Sequence, residues 1–124
     1  MPNRNSMLEK IGTGIDIVDI NRFRNLPFSS NRKFYEKIFT AGEINYCTNF
    51  EDSYSHFAGK FALKEALIKS INIKEDFLKI ETSSDNSKPS IQLKNKNGKN
   101  FIFQASISHE KNYAVGIILS EKIN

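Results

Sequence analysis

FAGKFALKEALIKSI, running from Phe57 to Ile71, is the clearest helical stretch in this chain of 124 residues. Phe57, Ala58 and Phe61 recur at helical spacing, and one further turn along that face lands on Glu65, then on Ile68 and Lys69. A carboxylate on an apolar side is costly: desolvation is of order 2–7 kcal/mol even for neutral polar groups unless a cation, a metal or hydrogen-bond donors compensate it. Two readings stand side by side. Glu65 and Lys69 form an i,i+4 surface pair at the margin of the stripe, contributing roughly 0.2–0.5 kcal/mol, or Glu65 is turned toward a metal or another cation. Lys64, next to it, reads as an exposed helix charge.

Upstream, residues 1–9 read as a loose leader, and alternation begins after Lys10. Ile11, Thr13, Ile15 and Ile17 share one face of a half-buried strand, and Gly12, Gly14, Asp16 and Val18 share the other. The two glycines clear space on the side of Asp16, either for close backbone packing or for a ligand or metal that touches the carboxylate. DINRFRNLPF, from Asp19, reads as a short helix with Ile20, Phe23 and Leu26 inward, Arg22 and Arg24 off that stripe, and Pro27 as its end. Ser29 to Asn31 cap a second helix, RKFYEKIF, and Thr40-Ala41-Gly42-Glu43 is a capping box opening a third.

Downstream of Ile71 the pattern turns to strands. Phe77 to Glu81 alternates loosely, Ser83 to Ser87 is turn chemistry, and Ser90 to Leu93 alternates again. KNKNGKN, Lys94 to Asn100, reads as an Asn-Gly hairpin turn into FIFQASISH, and YAVGIIL, Tyr113 to Leu119, is apolar enough for a central strand. With no repeat or linker, residues 1–124 form one α+β domain: a strand, a helical block, then an antiparallel sheet packed against it.

Composition narrows the classes. Ten Phe and four Tyr supply a core. No run of about 18 apolar residues is present, so no membrane span is expected, and the polar start MPNRNSMLEK lacks the apolar segment of a secretory signal. One cysteine, Cys47, allows neither an intrachain disulfide nor a multi-cysteine zinc site, and a reducing cytoplasmic setting follows. A net charge of +4 suits acidic partners of three classes: nucleic acid, an anionic membrane, or an acidic protein and phosphorylated small molecule. Nucleic acid is the weakest of these, since Arg-Gly repeats, aromatic ribonucleoprotein motifs and zinc fingers are absent.

Three signals carry chemistry: Asp16 after its glycines, Glu65 with Lys69, and SISHE at Ser106 to Glu110. Two carboxylates with water suit a hard divalent cation such as magnesium. Zinc is disfavoured with only His56 and His109 available; neither a Gly-x-Ser-x-Gly elbow nor a phosphate-binding P-loop occurs.

GTGIDIVDINRF (Gly12 to Phe23), FAGKFALKEALIKSI and SISHEKNYAVGIIL (Ser106 to Leu119) together resemble the three signatures of the holo-acyl-carrier-protein synthases, in order and spacing, and FTAGE at Phe39 to Glu43 is similar to a fourth segment. The resemblance implies the 4′-phosphopantetheinyl transferase fold. It also implies transfer of the phosphopantetheine arm of coenzyme A to a serine of apo-acyl carrier protein, with release of adenosine 3′,5′-bisphosphate. It makes Asp16 and Glu65 magnesium ligands and Lys69 a catalytic cation that also contacts coenzyme A. Lys60, where relatives often carry Arg, and His109 join it in binding coenzyme A, His109 from a neighbouring subunit of a homotrimer. Arg22 and Arg24 face the acidic carrier protein. The base for the serine proton stays open among Glu65, a water on the cation and a water near Glu43. Ser70-Ile71-Asn72-Ile73 departs from the family's Gly-Thr-Gly loop. The competing reading is a non-catalytic carrier- or nucleotide-binding relative, which has no need of both metal ligands.

Overall fold

The computed structural model describes residues 6–85 and 87–123. Five helices, α1 (Ser6–Lys10), α2 (Asn21–Arg24), α3 (Arg32–Glu36), α4 (Ala41–Thr48) and α5 (Ser53–Ile71), and five strands, β1 (Ile11–Asp19), β2 (Ile80–Asp85), β3 (Lys88–Leu93), β4 (Phe101–His109) and β5 (Tyr113–Lys122), are found there. One antiparallel sheet has the order β1-β5-β4, and β2 pairs with β3 in a second. The apolar YAVGIIL segment is thus central, and the α+β reading holds. The expected loose leader is helical over Ser6–Lys10; residues 1–5 lie outside the described residues.

α5 is the axis of the molecule. Asp52 caps it by accepting from the Ser55 backbone N–H at 3.4 Å, and Asn72 ends it in the left-handed conformation at φ 55°, its N–H donating to Ile68 O. Asn72 thereby takes the backbone shape for which glycine is the usual choice. The expected single apolar stripe is absent: every residue from Phe57 to Lys64 is buried, because helices and both sheets surround this part of α5.

The glycines of β1 serve that burial. A Cβ added at Gly12 would stand 1.9 Å from the Ser70 carbonyl oxygen, and one at Gly14 would stand 1.8 Å from that of Ala66. Gly116, opposite Asp16 in β5, meets the Ala62–Leu63 backbone in the same way. The space over the glycines is therefore filled by α5 itself, which selects close backbone packing. Asp16 is the next residue on that face, just beyond the contact.

Two apolar clusters flank α5. Phe23, Tyr35, Phe39, Phe57 and Phe61 form an aromatic one, with the Tyr35 hydroxyl donating to Leu26 O at 2.7 Å, and Leu63, Leu67, Ile80, Leu93 and Ile118 form the other. The capping box at Thr40 and Glu43 is present with both bonds. α3 starts at Arg32 as expected but ends at Glu36, short of Phe39, and the Asn31 side chain donates back to Pro27 O at 2.9 Å and does not cap it. Phe77–Lys79 is a 3-10 turn started by Asp76, so β2 begins only at Ile80, and the strand runs on through Asp85 where turn chemistry was expected. Asn86, within that expected turn, lies outside the described residues.

The expected Asn-Gly hairpin does not form. β3 and β4 lie in different sheets, joined by a 3-10 turn over Lys96–Asn100. A two-residue type I′ hairpin needs positive φ at both central residues, and neither Asn97 nor Gly98 has it. Asn95 instead accepts from Asn97 N at 2.9 Å, and both asparagines donate to Glu75.

Candidate active site

α5, β1 and α2 bring Asp16, Glu65, Lys69 and Arg22 together. Lys69, one turn past Glu65, donates to Asp16 Oδ1 at 3.1 Å and to Ile15 O at 3.0 Å. The expected i,i+4 partner is thus replaced by a strand carboxylate, because the close packing of α5 on β1 sets Lys69 above Ile15 and Asp16. Glu65 is half-buried and has no ion pair among the described residues. Desolvation, then the nearby Asp16 carboxylate, raise its pKa above the ordinary value, while Lys69 and Arg22 pull it down. The Arg22 guanidinium lies 5.0 Å from the Phe61 ring centroid. Two carboxylates that repel each other beside two cations make an oxygen donor set suited to a hard divalent cation that keeps most of its water. Among the described residues no group of three or more His, Cys, Asp or Glu is placed to hold a metal ion, so a cation here would rest on the two carboxylates and water.

Arg24 is held differently from Arg22. It pairs with Asp52 Oδ2 at 3.4 Å and donates to Lys111 O at 3.3 Å, tying α2 to the start of α5 and to the β4–β5 turn.

A second group lies elsewhere on α5. A pocket of about 260 Å³ is lined by His56, Lys60, Thr82, Ser83 and His109, among others. Lys60 and Glu65 are five residues apart, hence about 140° apart around the helix, and neither Glu65 nor Asp16 lines the pocket. Lys60 is 5% exposed and donates to Thr82 Oγ1 at 3.0 Å and Thr82 O at 3.4 Å, with its ammonium 4.7 Å from the Tyr46 ring centroid. No carboxylate pairs with it among the described residues. A cation withdrawn from water without a counter-charge, at the wall of a pocket, is suited to an anionic ligand. His109, at the end of β4, has its ring 6.4 Å from that of His56, which stacks on Phe50 at 3.8 Å. Desolvation, then the charge of His109, lower the His56 pKa, so its imidazole is neutral at pH 7. His56 was not picked out by sequence, although it stands one turn before Lys60 on the same face.

Lys64 corrects the reading of an exposed charge: it is fully buried, bonded to Glu43 Oε1 at 2.7 Å and to the carbonyls of Ile38 and Phe77. Glu43 also accepts from Thr40 N, Thr82 N and Thr82 Oγ1. This leaves no room for a water held by Glu43 as base. Cys47 is buried and its thiol is pushed up to about 12 by desolvation, which keeps it protonated and unreactive.

The chain matches known proteins over nearly its whole length. The profile of the 4′-phosphopantetheinyl transferase superfamily covers residues 12–118. Holo-acyl-carrier-protein synthase of Thermodesulfovibrio yellowstonii is 38% identical over 112 residues, spanning 87% of this chain and 96% of that protein. Among solved structures, the Bacillus anthracis synthase in complex with CoA (3′,5′-ADP) is 32% identical with a TM-score of 0.77, covering 90% of this chain and 96% of that one. The Helicobacter pylori synthase in complex with coenzyme A is likewise 32% identical with a TM-score of 0.78, covering 88% and 99%.

Proposed function

This chain belongs to the 4′-phosphopantetheinyl transferase superfamily, and from that premise we propose how its residues divide the work of a holo-acyl-carrier-protein synthase. The reaction moves the 4′-phosphopantetheine of coenzyme A to a serine of apo-acyl carrier protein. A bond forms from the serine oxygen to the phosphorus bearing pantetheine, the pyrophosphate P–O bond breaks, adenosine 3′,5′-bisphosphate leaves, and the serine proton passes to a base. Charge accumulates on the leaving bisphosphate, so positioned cations are the main catalytic need.

Asp16 and Glu65 would hold magnesium, which when bound neutralises charge on the pyrophosphate. The observation that carries this reading is the convergence of Asp16 and Glu65 beside Lys69 and Arg22, two otherwise repelling carboxylates with one left unpaired. Lys69, steadied by Ile15 O and Asp16, presents its charge at the margin of the pair. Lys60 and His109 take the anionic part of coenzyme A in their pocket, with neutral His56 as a further wall. Arg22 faces the acidic carrier, and Arg24 shapes the same surface through Asp52. A binder without turnover would have no use for the paired carboxylates.

The outer face of the β1-β5-β4 sheet supports a homotrimer. Ile15 is 58% exposed, Ile17 64% and Ile102 52%, with Ile117 and Leu119 beside them, a contiguous apolar face suited to further copies of the chain. Such an assembly lets Asp16 and Glu65 of one protomer meet Lys60 and His109 of its partner. No described helix is long and apolar enough to cross a membrane, and the cytoplasm is the compartment that fits the proposed substrates.

Incubation with coenzyme A, magnesium and apo-acyl carrier proteins of fatty-acid and polyketide systems, followed by mass spectrometry of the carrier, tests the reading. A phosphopantetheine mass increment is expected, lost with chelator and reduced at least about 100-fold in Glu65→Gln. No increment on any carrier would overturn it.

A further inference from the structure

Thr82 sits where the pocket meets the core. Its hydroxyl is 2.6 Å from Glu43 Oε2 and 3.0 Å from Lys60 Nζ. A carboxylate only accepts hydrogen bonds and an ammonium only donates, so both directions are fixed: the Thr82 hydroxyl donates to Glu43, and its lone pair accepts from Lys60. The Thr82 peptide repeats the arrangement, its N–H donating to Glu43 Oε2 at 2.8 Å and its carbonyl accepting from Lys60 at 3.4 Å. Glu43 is fixed in turn by Lys64 and by Thr40 N. Lys60, which lines the pocket, therefore spends two N–H groups on one residue that is anchored to the most deeply buried ion pair in the described chain.

We propose that Thr82 is a positioning residue for coenzyme binding, its hydroxyl holding the Lys60 ammonium at the pocket wall before the ligand arrives. A lysine stem is among the most costly side chains to immobilise, and restraint set in the free protein removes that cost from binding. Thr82 touches no reacting atom. Its effect is on the affinity for coenzyme A, with the transfer step left largely alone.

The inference rests on the reading of this pocket as the anion site for coenzyme A, and the two are separable. Calorimetric titration of the whole protein with coenzyme A and magnesium, without carrier, is made on Thr82→Val, Thr82→Ser, Lys60→Met and the Lys60→Met/Thr82→Val double variant, with thermal midpoints alongside. Thr82→Val is expected to weaken binding roughly 10-fold, as loss of a hydrogen bond to a charged group does, and to raise KM with kcat within about 2-fold. Thr82→Ser restores wild-type affinity, and the double variant is no weaker than Lys60→Met. Wild-type affinity in folded Thr82→Val, or additive losses in the double variant, overturns the positioning role while a weak Lys60→Met keeps the pocket reading. Wild-type affinity in Lys60→Met overturns both. Should Thr82→Val fail to fold, Thr82→Ala is read by the same criteria.

Discussion

Glu65 and Lys64 are neighbours with opposite fates, and the difference sets what each can do. Lys64 is enclosed with Glu43, and desolvation lowers its pKa even though Glu43 favours its charge. Loss of either partner would strand a buried charge at a cost of about 3–5 kcal/mol. Glu65 is half-buried beside a like charge, which makes it a liability in the free protein. Its folded-state pKa is raised, so its carboxylate opposes folding in full above that pKa, and the penalty fades as pH falls from there toward the ordinary carboxylate value, below which it is gone. In chelator, Glu65→Gln is therefore expected to melt higher than wild type at pH 7, with the gap closing toward pH 4, as followed by circular dichroism. Saturating magnesium should narrow the gap at pH 7 by stabilising only the wild type. An unchanged or lower midpoint at pH 7 would show that the carboxylate is not disfavoured there. The sequence singled out Asp16, Glu65 and Lys69, which the fold brings together, but it did not announce the Lys64–Glu43 pair, since its members are 21 positions apart and a helix buried all round leaves no periodic stripe to separate inside from outside.

At the scale of elements, the site depends on how closely β1 and β5 approach α5. Gly12, Gly14 and Gly116 remove the Cβ at three points of that contact, and the obstacle a methyl would meet there is main chain that cannot rotate away. Gly14→Ala is expected to destabilise by about 3 kcal/mol, at the upper end for overpacking, which lowers the melting point by roughly 10 °C for a domain of this size. It should also lose activity at temperatures where it remains folded, because Asp16 is two residues along the same strand face. A normal midpoint in calorimetry would mean that α5 and β1 separate freely. Local chemistry announced much of this architecture: the Thr40–Glu43 capping box, the long helix and the apolar central strand each follow from short-range rules. The hairpin at Lys94–Asn100 failed because Asn-Gly is a turn signal only if both residues take positive φ, and here Glu75, some 20 residues upstream, holds the asparagines in a 3-10 turn.

At the scale of the molecule, one chain places its two candidate groups on different sides of α5. Asp16, Glu65 and Lys69 stand at the β1 edge, and Lys60 and His109 stand in the pocket. The strand pattern of β1 showed two faces, but alternation alone did not say that the isoleucine face is the one left open. If the open face joins further copies, each working site draws one group from each of two protomers, and two inactive variants can complement each other. Glu65→Gln and the Lys60→Met/His109→Ala double variant, inactive apart, are expected to regain activity when unfolded together and refolded at equal ratio. Random assembly gives each interface an intact carboxylate half from one protomer and an intact pocket half from the next with probability one half times one half, so recovery approaches roughly a quarter of wild type. Simple mixing of the two folded proteins should recover less, at the rate at which subunits exchange. No recovery after joint refolding, with light scattering showing mixed oligomers, would place the complete site within a single chain and remove the functional reason for the assembly.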